Sequence, residues 1–205
     1  MYIPTHFNVE NQNEMADFIR KNSFGILVSE QNGKITASHL PMILTENNGE
    51  IRIEGHVAKG NLQWHDFEKN ENVMLIFQGD HGYVSPLLYQ SKESVPTWNY
   101  MAVHVYGSIS LIHGDSEKIE GLEKMISRYE PEYLPQWKSL SEEYKQKMLG
   151  GIMAFVVRAE KLEGKFKLSQ NRPEQDRESV AQHFLSSENE MLNRLGSEMK
   201  IRNKK

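Results

Sequence analysis

Along residues 95–112, Met101, Val103, Val105, Ile109 and Leu111 alternate with Ala102, His104, Tyr106, Ser108 and Ser110. A period of two over the longest β-like run in the chain predicts a strand with one face in a core. The opposite face carries an imidazole and a phenol among small residues, which suits a flat ligand or a second subunit. Thr97, Trp98, Asn99 and Tyr100 place aromatic faces and amide groups at the strand's entrance.

The same patterning organises the rest of the chain. Met15, Phe18 and Ile19 recur at helical spacing within 11–21, with acidic residues early and basic ones late, as the helix dipole favours. Phe24 to Ser29 predicts a buried strand, and Asn32-Gly33 a two-residue hairpin turn into 35–44. Asn48-Gly49 predicts a second hairpin, into the alternating 50–57 segment. Pro41 removes a ladder donor, so its end of the strand should bulge or lie at an edge. After Gly60, Asn61 is expected to cap a short helix carrying Leu62, Trp64, His65 and Phe67. Residues 72–78 are continuously apolar and predict a strand buried on both faces, followed by a turn at Asp80-His81-Gly82. That makes about six strands before residue 113, as in a small closed barrel.

Helical patterns cover 115–130 and 140–149, interrupted by Pro131 and Pro135. A further buried strand begins at Ile152 and continues to Ser169, and two helices close the chain from Asp176 onward. The expected domain division is a barrel over 1–172, with a helical insertion at 115–149, and a C-terminal helical extension over 173–205.

Composition narrows the possibilities. The 205 residues are 38% hydrophobic and 25% charged, with a net charge of −4, so no global basic field attracts nucleic acid. Cysteine is absent, which excludes disulfides and thiolate metal sites and fits a reducing compartment. The N-terminal residues lack a secretory pattern, and no apolar run has membrane-spanning length, so a cytoplasmic protein is expected.

Candidate chemistry concentrates at Gly55-His-Val-Ala-Lys-Gly-Asn61. A strand ending in Lys-Gly-Asn at a helix start gathers backbone N–H groups and a cation, which is the means of holding a phosphate. It is neither a Walker loop nor a dinucleotide fingerprint, and on spacing alone a capped corner with a solvated lysine is the favoured reading. The eight histidines form no close pair or metalloprotease pattern, so no metal site is expected. No nucleophile elbow or thiol occurs, and no general base is identifiable; catalytic residues stay unassigned. For DNA, only the C-terminal pair of helices is a candidate; the second begins acidic at Glu188 and Glu190, the wrong sign for entering a groove, so the pair is expected to dock a partner or form a dimer. The basic end of the second, Lys200, Arg202, Lys204 and Lys205, offers only nonspecific phosphate contacts.

ASHLPM at 37–42, GHVAKGN at 55–61, GYVSP at 82–86, VPTWNYMAVHVYG at 95–107 and KLSQNRP at 167–173 together resemble the PaiB family. That family is described as FMN-binding negative transcriptional regulators related to the split-barrel pyridoxamine phosphate oxidases. The resemblance implies an α+β, mainly antiparallel split β-barrel, with peripheral and C-terminal helices. It further implies a homodimer whose subunits share each FMN site, and a role in repressing sporulation and extracellular protease production. The phosphate contacts it implies are Ser38, His39 and Leu40, then His56, Lys59 and Asn61. Ala102 and His104 would line the isoalloxazine region, with Trp98 and Asn99 at its mouth. Related oxidases carry arginines where this chain has Ser38-His39 and a Gln-x-Arg pattern where it has Ala102-Val103-His104, which argues against pyridoxamine phosphate oxidation. Two other functions stay open: a flavin-dependent oxidoreductase that acts on regulation indirectly, and a haem-handling protein.

Overall fold

The computed structural model describes residues 1–47 and 49–203; Asn48, the first residue of the second expected turn, and the terminal Lys204 and Lys205 lie outside them. The elements in order are β1 (Asn8–Val9), α1 (Gln12–Lys21), β2 (Phe24–Gln31), β3 (Lys34–Pro41), β4 (Ile43–Asn47), β5 (Glu50–Ala58), α2 (Trp64–Phe67) and β6 (Asn72–Val84). Then follow β7 (Thr97–Ile112), α3 (Asp115–Tyr129), α4 (Leu134–Ser139), α5 (Glu142–Leu149), β8 (Ile152–Lys167), α6 (Glu174–Leu185) and α7 (Glu190–Asn203). The chain divides into two compact units: 1–18, 78–103 and 163–205 form the first; 19–77 and 104–162 form the second.

In the second unit the strands follow the order β3-β2-β6-β7-β8-β5-β4. β3 and β4 stand at opposite ends of that order, yet only Met42 separates them in sequence. The sheet must therefore curl until its ends meet, which makes the antiparallel split barrel expected from the sequence. Met42 is the corner. Its side chain is fully buried, its N–H donates to the Ser23 carbonyl at 2.9 Å, and Pro41 ends the edge strand just before it. Two glycines leave room for it: a Cβ on Gly25 would stand 2.8 Å from Met42 Cε, and one on Gly55 would stand 3.3 Å from Met42 Cγ. Asn32 and Gly33 both have positive φ, 52° and 79°, the conformation a tight primed hairpin requires.

The barrel's outside is covered unevenly. α3 lies over β5 and β8, tied by Lys124 Nζ to both Glu54 carboxylate oxygens at 3.0 and 3.1 Å. Among the described residues of this unit, no helix lies in the same way over the outer face of β2, β3 and β6. There Ile26 pairs with His39 and Ile76, and Val28 pairs with Ala37 and Met74. Ile35, paired with Glu30, is 71% exposed, and Phe24, paired with Pro41 at the other end of the β2–β3 ladder, is exposed as well.

In the first unit α6 and α7 pack on each other, burying Val180, Ala181, Phe184, Leu195 and Met199. Phe166 at the end of β8 meets Phe18 of α1, with ring centroids 5.0 Å apart.

Four expectations change. Residues 72–78 are not buried on both faces: Met74 and Ile76 are half-exposed, because their outer face is the uncovered one. Asp80-His81-Gly82 is no turn; β6 runs straight through it, its ladder outweighing the local turn propensity. The helix after Gly60 spans only Trp64–Phe67, with Gln63 at its cap position and no side-chain cap there; Asn61 Oδ1 instead accepts from the Gln63 N–H, in the turn that leads into the helix. The segment between Pro131 and Leu140 holds a short helix, α4, with Pro135 in its first turn, where the missing N–H costs nothing.

Candidate functional site

β5 delivers the Lys59-Gly60-Asn61 corner beside β3. Asn61 Nδ2 donates to Ser38 Oγ at 2.8 Å, and Asn61 Oδ1 accepts from the Gln63 N–H at 3.1 Å. Behind this pair runs a buried polar network that the sequence patterning missed. Gln63, 2% exposed, donates through Nε2 to the Leu27 carbonyl, Ser29 Oγ and the Thr36 carbonyl, all within 3.2 Å. Ser29 Oγ in turn donates to Asp66 Oδ2 at 2.8 Å. This network ties the start of α2 to β2 and β3 behind the Asn61–Ser38 pair, although among the described residues Gln63 Oε1 is buried without a hydrogen-bond partner. A polar residue at the second place after Asn61 was its only sequence signal, and such residues are ordinarily at the surface. A groove of about 340 Å³ opens along Lys34, Thr36, Asn61, Gln63 and His65.

The electrostatics of the corner differ from the sequence expectation. Lys59 N–H donates to the Gly151 carbonyl and Asn61 N–H to the Ala58 carbonyl, both at 2.8 Å, so two of the corner's backbone donors are spent. The four-residue α2 supplies no useful dipole. What remains is a side-chain set: the exposed Lys59 ammonium, the Ser38 hydroxyl and the Asn61 carboxamide, around a Gly60 with nothing within 4 Å of a built Cβ. An ammonium, a hydroxyl and a carboxamide are groups that can donate to a phosphate.

The other expected residues are dispersed. Strand alternation sends Ser38 and His39 to opposite faces; His39 is exposed and stacks on Phe24, centroids 6.5 Å apart. Leu40, half-buried, lies on Ser38's side and pairs with Gly25. His56 sits under α3 in a cavity of about 20 Å³ with Glu54, Glu117, Lys118 and Met125, and burial lowers its pKa. Burial thus disfavours its charged form, in a space the size of a water molecule. His104 lies on the half-exposed face of β7, its ring 6.4 Å from that of Tyr106. Trp98, Asn99 and Ala102 belong to the first unit. There Trp98 is 52% exposed against His81 and Tyr83, Ala102 is buried, and Asn99 is wholly buried with its carboxamide bonded to Ser169. Among the described residues, no group of three or more His, Asp or Glu is arranged to hold a metal ion. No helix among them is long and apolar enough to cross a membrane.

Residues 1–161 match the family described as "Putative FMN-binding domain". The chain is 40% identical over 207 aligned positions to "Protease synthase and sporulation protein PAI 2" of Bacillus subtilis strain 168, covering 100% of this chain and 99% of that one. The chain belongs to the PaiB family. At the level of fold, this PaiB-family chain is similar to the flavocytochrome Anf3 from Azotobacter vinelandii, with a TM-score of 0.62 at 13% identity, covering 85% of this chain and 77% of that one. It is similar likewise to the FAD and haem binding protein from Mycobacterium smegmatis, with a TM-score of 0.61 at 13% identity, covering 78% and 73%. PaiB-family membership and the split barrel therefore agree with the strand order derived above.

Proposed function

We propose that this protein is an FMN-binding split-barrel homodimer that acts in the control of sporulation and extracellular protease production. The observation that carries the reading is the Asn61–Ser38 hydrogen bond, which joins β3 to the Lys59-Gly60 corner. Lys59, Ser38 and Asn61 would hold the flavin phosphate. The apolar outer face of Ile26, Val28, Met74 and Ile76, with His104 and Tyr106 on β7, offers a flat wall for the isoalloxazine and for a second subunit. The flavin, when bound, supplies redox chemistry; the chain supplies its placement.

The regulatory effect would run through the flavin or a protein partner rather than through direct DNA contact. The net charge is −4, and the first turn of α7 carries Glu190.

The test is the absorption spectrum of the purified protein together with light scattering. Flavin bands in the blue, retained after gel filtration, and about twice the chain mass support the proposal. A Soret band, or failure to take up FMN on reconstitution, would overturn the cofactor. A monomer that binds FMN would overturn the shared site.

A further inference from the structure

The end of β8 in the first unit carries cations that nothing above employs. Phe166 and Leu168 point into the core, and Lys165 and Lys167 alternate with them onto the other face. The strand stops in a locked turn. Ser169 has a φ of +67°, Leu168 N–H donates to Gln170 Oε1 at 2.6 Å, and Arg172 N–H donates to the Ser169 carbonyl at 2.9 Å. A serine held in the left-handed region is over-determined by its surroundings, and such positions gather at functional sites.

The turn fixes three cations near one another. Lys165, 9% exposed, donates to the Tyr2 carbonyl at 3.1 Å and lies over the Tyr2 and Tyr100 rings. Lys167 Nζ is bonded to Thr97 Oγ1 and donates to the Trp98 carbonyl at 2.8 Å. The Arg172 guanidinium lies 4.4 Å from the Tyr89 ring centre. Among the described residues none of the three forms an ion pair: Glu163 on the same strand is taken by the N-terminal ammonium, and Asp176 accepts from the Gln90 N–H. Burial, then the charges of Lys165 and Arg172, lower the Lys167 pKa. Partly buried like charges without a counterion are unfavourable, and an anion relieves them. Donors remain for one: an ammonium has three N–H groups, of which Lys167 spends two, and a guanidinium stacked on a ring keeps its N–H edge free. The carbonyl that Lys167 meets belongs to Trp98, whose half-exposed indole is braced by His81 and Tyr83 at 6.0 Å each.

We propose that the Lys167–Arg172 turn is a binding site for an oxyanion, carboxylate or phosphate, carried on an aromatic ring that lies against Trp98. The site shares no residue with the Ser38, Lys59 and Asn61 corner. Lys167 and Arg172 hold the oxyanion, Lys165 adds to the field, and Trp98 selects a flat ligand over a bare ion.

Calorimetric titration of the full-length protein with phenyl phosphate, benzoate and inorganic phosphate tests this. Phenyl phosphate or benzoate should bind, the stronger of the two identifying the oxyanion. Lys167→Gln with Arg172→Gln should weaken that binding by about tenfold or more, the equivalent of 1.4 kcal/mol. Trp98→Ala should weaken the ring-bearing probes and leave inorganic phosphate unchanged. Lys167→Arg, which keeps the charge, should retain binding, so a folding defect in the double variant cannot be mistaken for loss of the site. No binding of any probe, or full binding by the folded double variant, overturns the proposal. So does an equal loss in Lys59→Glu, which would place the probe at the other corner.

Discussion

Asn99 and Ser169 hold each other inside the first unit: Asn99 Nδ2 donates to Ser169 Oγ at 3.0 Å, and Ser169 Oγ donates to Asn99 Oδ1 at 3.2 Å. They are 70 residues apart in sequence, and both are buried. Removing either strands a polar group away from water, at a cost of about 1–3 kcal/mol. Asn99→Ala should therefore lower unfolding free energy in urea by that amount. At position 169 a second effect is separable. Ser169→Gly and Ser169→Ala both lose the hydroxyl, but only glycine accepts the φ of +67° without strain. Ser169→Gly should be the milder by about 1 kcal/mol, and the reverse order would show that the turn is not strained.

The Met42 corner makes a second prediction. A Cβ on Gly25 meets Met42 Cε and Phe77 Cε1, both at 2.8 Å, and the Ile76 carbonyl oxygen at 2.9 Å. Overpacking of this kind costs roughly 1–3 kcal/mol. Gly25→Ala and Met42→Ala should each destabilise, and the double variant should cost less than their sum, because the shorter side chain frees part of the space. Strict additivity would mean that the Ile76 carbonyl, which cannot move, carries the whole clash.

Much of this was readable in advance because it is local. The alternation of Met101, Val103, Val105 and Ile109 survives as the buried face of β7, and Asn32-Gly33 forms its hairpin, since period and turn chemistry act over a few residues. What local pattern could not supply was pairing. Asp80-His81-Gly82 has turn residues, yet the ladder of β6 keeps it extended. Gln63 and Asp66 read as surface polar groups until Ser29 and Thr36, from distant strands, arrive to bond them. The candidate site shows the same split. Lys59-Gly60-Asn61 stood out by its own residues, whereas Ser38 entered through the family resemblance, and its bond to Asn61 comes only with folding.

His56 links pH to stability. Its pKa is lowered by burial under α3, so the unfolded chain takes up the proton more readily than the folded one. The contribution is therefore intact above the ordinary value, about 6.5, and is lost as pH falls below it toward the depressed folded value. Glu54, Glu117 and Lys118 share the cavity, and Lys124 already neutralises Glu54, leaving little charge to reward a protonated ring. Melting curves should show stability declining from about pH 7 to about pH 5. His56→Gln should flatten that slope, and an unchanged slope would assign it to other groups.

The last prediction concerns the corner proposed for the flavin phosphate. Lys59 is exposed and precedes by two residues Asn61, which bonds to Ser38. A hydrogen bond to a charged group contributes roughly 1.5–3 kcal/mol net, and Lys59→Glu both removes it and adds repulsion. FMN affinity, followed by fluorescence quenching, should fall by at least about tenfold, which corresponds to 1.4 kcal/mol. Riboflavin, which lacks the phosphate, should lose almost nothing. Asn61→Ala should weaken FMN as well, since Ser38 and the Gln63 N–H lose the partner that joins them. Equal losses for FMN and riboflavin would point to damage in the fold. Undiminished FMN binding by Lys59→Glu would place the phosphate somewhere other than this corner.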